Sequence, residues 1–188
     1  MKQLTGVFIV GMLAFMMSCG GETVVEPLEE GWTLWENGAY AEAYAKFAEA
    51  GGPEGLNGLG WTTLKMDSME KSEAYFALAI EDGGVDTLID AAAGLAITGW
   101  QQGDYAISLD ATRYVMRKDA NYAFTHDASV DKGVILRAKG YDEYHLGQYS
   151  ACIATIQILD NTFSANANDP NIATILLNKL NALSGTGS

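Results

Sequence analysis

From residue 31 onward, apolar and polar positions recur in blocks that line up with one another. GWTLWENGAYAEAYAKFAEA (31–50) aligns with GWTTLKMDSMEKSEAYFALA (60–79), matching Gly31 with Gly60, Trp32 with Trp61, Phe47 with Phe76 and Ala50 with Ala79. AITGWQQGDYAISLDATRYV (96–115) and GYDEYHLGQYSACIATIQIL (140–159) continue the series. Self-similarity on this scale marks stacked units that bury their apolar faces only against one another. Each block predicts a helix, a tight turn and a second helix. The turns fall at Asn37-Gly38, Met66-Asp67-Ser68, Gln102-Gly103-Asp104 and Leu146-Gly147-Gln148. Glycine at three of them supplies a backbone angle that other residues adopt at a cost. Tyr40, Met69, Tyr105 and Tyr149 then open the second helices, where a large side chain wedges between the pair.

Two segments break the pattern. Residues 116–131, MRKDANYAFTHDASVD, form a longer connection between the third and fourth blocks that can hold its own ordered loop. Residues 161–171 are rich in turn formers. After them Asp169 is expected to cap, and Pro170 to open, an amphipathic helix over about 171–183, with Ile172, Ile175, Leu176, Leu180 and Leu183 on one side. Such a helix can cover the exposed flank of the last unit. Turn-to-turn spacings of 29, 36 and 44 make the expected stack irregular.

The pattern carried by Gly31, Gly38, Tyr40, Ala43, Phe47 and Ala50, and again by Gly140, Gly147, Tyr149 and Cys152, resembles the tetratricopeptide repeat family over about residues 28–160. The resemblance implies an all-α fold, an α-α superhelix of about four helical hairpins closed by a C-terminal helix. In that family the first helices line a concave groove where many protein and peptide ligands bind. All four tryptophans lie on first helices, three residues apart in register, and residues three apart share a helix face. The resemblance therefore implies a groove lined by Trp32, Trp35, Trp61, Trp100, Tyr141 and Tyr144, with Glu36, Lys65, Gln101 and His145 adding polar contacts. A second reading stays open: the rings fill a narrow, tightly curved stack.

The N-terminus carries a different message. Lys2 precedes an apolar run of 14 residues, Leu4 to Met17, too short to span a bilayer comfortably and suited to a cleavable export signal. Met16-Met17-Ser18-Cys19 resembles the lipobox of bacterial lipoproteins, in which the cysteine receives a diacylglycerol and becomes the new N-terminus. The chain then divides into a signal peptide (1–18), a lipidated Cys19 with its tether (19–27), the repeat domain (28–183) and a tail (184–188). Membrane attachment would run through that lipid. Gly20 in place of aspartate points, by resemblance, to the outer membrane of the bacterial envelope. Lipoproteins with such repeats take part in outer-membrane assembly and in secretion complexes.

Composition narrows the function. The chain is 48% hydrophobic and 19% charged, ordinary for a folded domain. A net charge of −13 repels phosphate backbones, so nucleic acid is not an expected partner. Two cysteines, Cys19 and Cys152, cannot support a disulfide framework. Cys152 takes the repeat's small position and reads as buried packing. His126, Asp127 and Ser129 tempt one toward a catalytic triad, but neighbours in sequence rarely point at a common atom. Asp127 or Ser129 reads better as a helix cap. Asp119, Asn121, Asp127 and Asp131 could approach a hard cation, but not at EF-hand spacing. No zinc-ligand cluster, phosphate loop or dinucleotide fingerprint occurs, so neither a cofactor nor an enzyme is expected. What remains is a scaffold for a protein or peptide partner in the envelope, or a lipoprotein whose rings stack on a glycan or other flat solute.

Overall fold

The computed structural model describes residues 26–83 and 85–185, with the side chains of residues 85–88 left aside. Cys19 and the segment expected to be a signal peptide lie outside the described residues. Among those described, the secondary structure is helical: α1 (Pro27–Glu36), α2 (Tyr40–Ala50), α3 (Gly52–Lys65), α4 (Met69–Asp82), α5 (Val85–Gln102), α6 (Tyr105–Lys118), α7 (Lys132–His145), α8 (Tyr149–Leu159) and α9 (Ile172–Leu183). They pack in consecutive pairs, and each pair packs on the next, as an all-α helical hairpin stack. No described helix is long and apolar enough to cross a membrane.

The four turns inside the pairs share one device. Gly38, Asp67, Gly103 and Gly147 all have positive φ, between 55° and 86°. Three are glycines, as their lack of a Cβ favours. Asp67 is a non-glycine residue in the left-handed region, which aspartate tolerates better than most.

The aligned small and aromatic positions explain the stacking. A Cβ on Gly31 would lie 2.7 Å from the Phe47 ring, and one on Gly58 would lie 2.3 Å from it. Phe47 of α2 is thus seated on glycines of both its own first helix and the next. Phe76 repeats this between Gly60 and Gly94, at 2.5 and 2.1 Å. Ser72, Ser108 and Cys152, aligned with Ala43, are fully buried and donate to the first-helix carbonyls of Gly60, Ala96 and Gly140. A small side chain at this place lets the paired helices close up.

First helices α1, α3, α5 and α7 touch in succession, whereas α2, α4, α6 and α8 meet only through the first helices between them. The closer spacing of the first helices curves the stack toward their side. The core divides in two. One cluster runs through the first three pairs and takes in Tyr122, Phe124 and Val130 from the α6–α7 connection. The other is built from α7, α8 and α9.

α9 covers the last pair through Leu176 and Leu180, both fully buried. Its start differs from the expectation. The Asp169 carboxylate accepts the Asn171 N–H in a local turn, Pro170 lies in that turn, and the helix begins at Ile172 with Asn171 at its N-cap. The aspartate and proline shape the approach to the helix rather than its first turn.

Candidate functional site

The connection after α6, residues 119–131, does not skirt the surface. It folds back across the inner face of the stack as a strap. Its ends are tied by its own backbone: Phe124 N–H donates to the Val130 carbonyl at 2.9 Å, and Lys132 N–H to the Tyr122 carbonyl at 2.7 Å. Between these ties the Asp127 carboxylate accepts both the backbone N–H and the hydroxyl of Ser129, at 2.9 and 2.6 Å. Asp131 caps α7 by accepting the Val134 N–H. The expected cap at Asp127 or Ser129 is therefore displaced to Asp131, because those two are used up in a turn ahead of the helix.

The strap's side chains reach three first helices. Phe124 stacks on Trp61 of α3, ring centroids 4.2 Å apart, and meets Trp32 and Trp35 of α1 edge-on at 5.8 and 6.0 Å. His126 lies flat on the Trp32 ring, 3.9 Å away and 3° from parallel, while its Nδ1 meets Glu36 at 2.7 Å. Asp127 pairs with Lys65 of α3 at 2.7 Å, and Lys65 also sits 5.2 Å above the Trp35 ring. Tyr122 donates its hydroxyl to Asp90 of α5 at 2.9 Å. Burial, reinforced by Asp90, keeps that phenol protonated.

The six rings singled out from the sequence are thus brought to one face but not to one open groove. Trp35 and Trp61 are 3% and 1% exposed, and Tyr141 is also buried. Trp32, Trp100 and Tyr144 are half-buried. Trp100 stacks on Tyr141, whose hydroxyl donates to Asn181 of α9. Tyr144 leans on Tyr149, and His145 lies flat against Tyr105 at 4.0 Å, where burial lowers its pKa. Where the strap ends, the inner face continues as a cleft of about 330 Å³ lined by Trp61, Lys65, Trp100, Gln101, Ser129 and Val134.

The remaining candidates for chemistry find separate partners. His126 pairs with Glu36, Ser129 with Asp127, and Asp127 with Lys65, so the three do not converge. Asp119 accepts the Asn121 N–H, and no group of three or more metal-binding side chains gathers among the described residues. Cys152 is enclosed, and burial, then the Glu143 charge, pushes its thiol up to about 12. Sequence reading passed over Phe124 and Tyr122, the residues that fill the face. The one local signal was their alternation, two large rings two residues apart inside an otherwise polar connection.

Fold and site together define an all-helical hairpin stack that holds a loop of its own on its inner face. No family model matches the chain, and no curated protein matches it significantly.

Proposed function

We propose that this chain is a lipid-anchored protein of the bacterial envelope that acts as an interaction scaffold. It holds a segment of a partner protein on its inner face. One observation carries the reading: that face already grips a compact, turn-rich loop of polypeptide, through ring stacking, an ion pair and a histidine contact spread over α1 and α3. A face built from rigid aromatic platforms takes such a segment at low entropy cost. The cleft beside Trp100 is open at the strap's end, with Lys65, Gln101 and the Ser129 hydroxyl as polar contacts around an aromatic plate. Attachment through Cys19 would keep the stack at a membrane surface, where an assembly or secretion complex is one setting for it.

A glycan or other flat solute is the second reading. It is favoured by the size of that cleft, about 330 Å³, and by the half-buried Trp100 ring on its wall.

A displayed random-peptide library panned against the purified chain tests the scaffold. Enriched peptides should bind the chain and lose at least tenfold in affinity on Trp100→Ala or Trp32→Ala, with helicity unchanged. No enrichment, or binders indifferent to both Trp100→Ala and Trp32→Ala, would remove the reading. Soluble glycan fragments in the same assay test the alternative.

A further inference from the structure

We infer that the strap is the resident occupant of a docking site, and that the box formed by Trp32, Trp35 and Trp61 receives a partner segment of matching chemistry in its place. That chemistry is an aromatic residue, a second flat ring two positions on, and a carboxylate next to it, as in Phe124, His126 and Asp127. The inference rests on the scaffold reading and specifies its partner.

Three observations support exchange rather than permanent closure. The strap's stem closes on itself through the Phe124–Val130 and Tyr122–Lys132 backbone bonds, and α6 and α7 pack directly on each other. The strap can therefore lift without dismantling the helices that carry it, at the cost of the buried Phe124 and Tyr122 rings and the Tyr122–Asp90 bond. Its tip is held by the Lys65–Asp127 and His126–Glu36 pairs, all partly exposed, a kind of contact that contributes little in water. Finally, the strap leaves two donors unserved. The indole N–H groups of Trp35 and Trp61 are buried and have no acceptor. Buried donors are ordinarily paired, and an unpaired one is costly. A partner whose backbone carbonyl or carboxylate reaches either indole makes a bond that the strap does not. It needs that advantage, because a tethered strap competes at high effective concentration.

The test uses the full chain, a Phe124→Ala variant and a synthetic peptide of residues 119–131. The peptide should bind Phe124→Ala at least tenfold more tightly than the unaltered chain, whose box is occupied. A peptide with alanine for Phe124 should bind neither. Equal binding to both chains, or none to a folded Phe124→Ala, overturns the inference. Should that variant not fold, hydrogen exchange in the unaltered chain decides. The Trp35 and Trp61 indole N–H groups, which the strap covers, should exchange at least tenfold faster than the main-chain amides of Val115 and Ile156, and a common rate for all four overturns the idea. Library binders that seat at Trp100 while the strap peptide fails would sink this inference alone. Absence of any binder to either chain would sink the scaffold reading.

Discussion

Phe124 lies on Trp61 with the two rings 18° from parallel, although one belongs to a connecting strap and the other to the second helical pair. The contact turns a loop into part of the core. It also sets what each tryptophan does in the closed molecule.

Trp61→Ala should lower stability sharply. The ring is fully enclosed between Phe76 and Phe124, and deleting a large buried aromatic costs about 3–5 kcal/mol. Urea denaturation of the two chains gives the difference. A loss below about 1 kcal/mol would mean that the ring is not packed as described.

Gly94→Ala should also destabilise, although alanine is the better helix former. A Cβ there would meet the Phe76 ring at 2.1 Å, and overpacking of this kind costs about 1–3 kcal/mol. Adding Phe76→Leu should recover part of the loss by opening space for the methyl. Thermal melts of the single and double variants check the coupling; strict additivity would refute it.

The junction of α6, α7 and α8 should make stability depend on pH. Asp142 is fully buried; one oxygen accepts the Ser108 hydroxyl at 2.6 Å and the other has no partner. Glu143 beside it is likewise buried; one of its oxygens accepts from Lys139 and the other from the Thr155 hydroxyl, so the nearby ammonium is bonded to Glu143 and not to Asp142. Burial pushes Asp142 up to about 7, the Glu143 charge adds to the rise, and Ser108 and Lys139 oppose it. An unfolded chain releases that proton near the ordinary aspartate value of 3.8, whereas the folded chain keeps it until about 7. The contribution is therefore fully present below the lower value and is lost as pH rises through the window, at up to about 1.4 kcal/mol per pH unit. Asp142→Asn should flatten this slope in melting temperature across the window. Asp160 works the other way: its bond to Lys179, helped by Thr162, lowers its pKa, so its contribution is lost only as pH falls below the window. If the asparagine variant keeps the full slope, the assignment to Asp142 is wrong.

Cys19→Ser should move the protein from the membrane fraction to the soluble one. Each buried methylene of an attached acyl chain contributes about 0.8 kcal/mol of anchoring, and the serine variant would have none. Fractionation followed by immunoblotting reads the result. A serine variant that stays with membranes would exclude lipid at this cysteine as the anchor.

Much of the architecture was legible because it is local. Helix pairs follow from the recurrence of apolar positions, and their turns follow from Gly38, Gly103 and Gly147. The small residue at Cys152 and the ring at Phe47 announce close packing within a pair. These features depend on neighbours a few residues away or on the next unit, and one repeat predicts another. The α9 cover was equally readable from Leu176 and Leu180, and its span to within a residue, although the capping role passes from Asp169 to Asn171 because Asp169 is engaged in a local turn.

The destination of residues 119–131 was not written locally. Tyr122 and Phe124 look like incidental rings in a polar loop until α1, α3 and α5 are brought together to receive them. Likewise, nothing near Asp142 foretold burial beside Ser108, because the contact joins residues on different helical pairs. The sequence by itself determined the hairpins, their order and the face on which the tryptophans gather. Only the tertiary structure decided that this face is filled from within, since the free energy of burying Phe124 exists only once three separate helices have formed its walls.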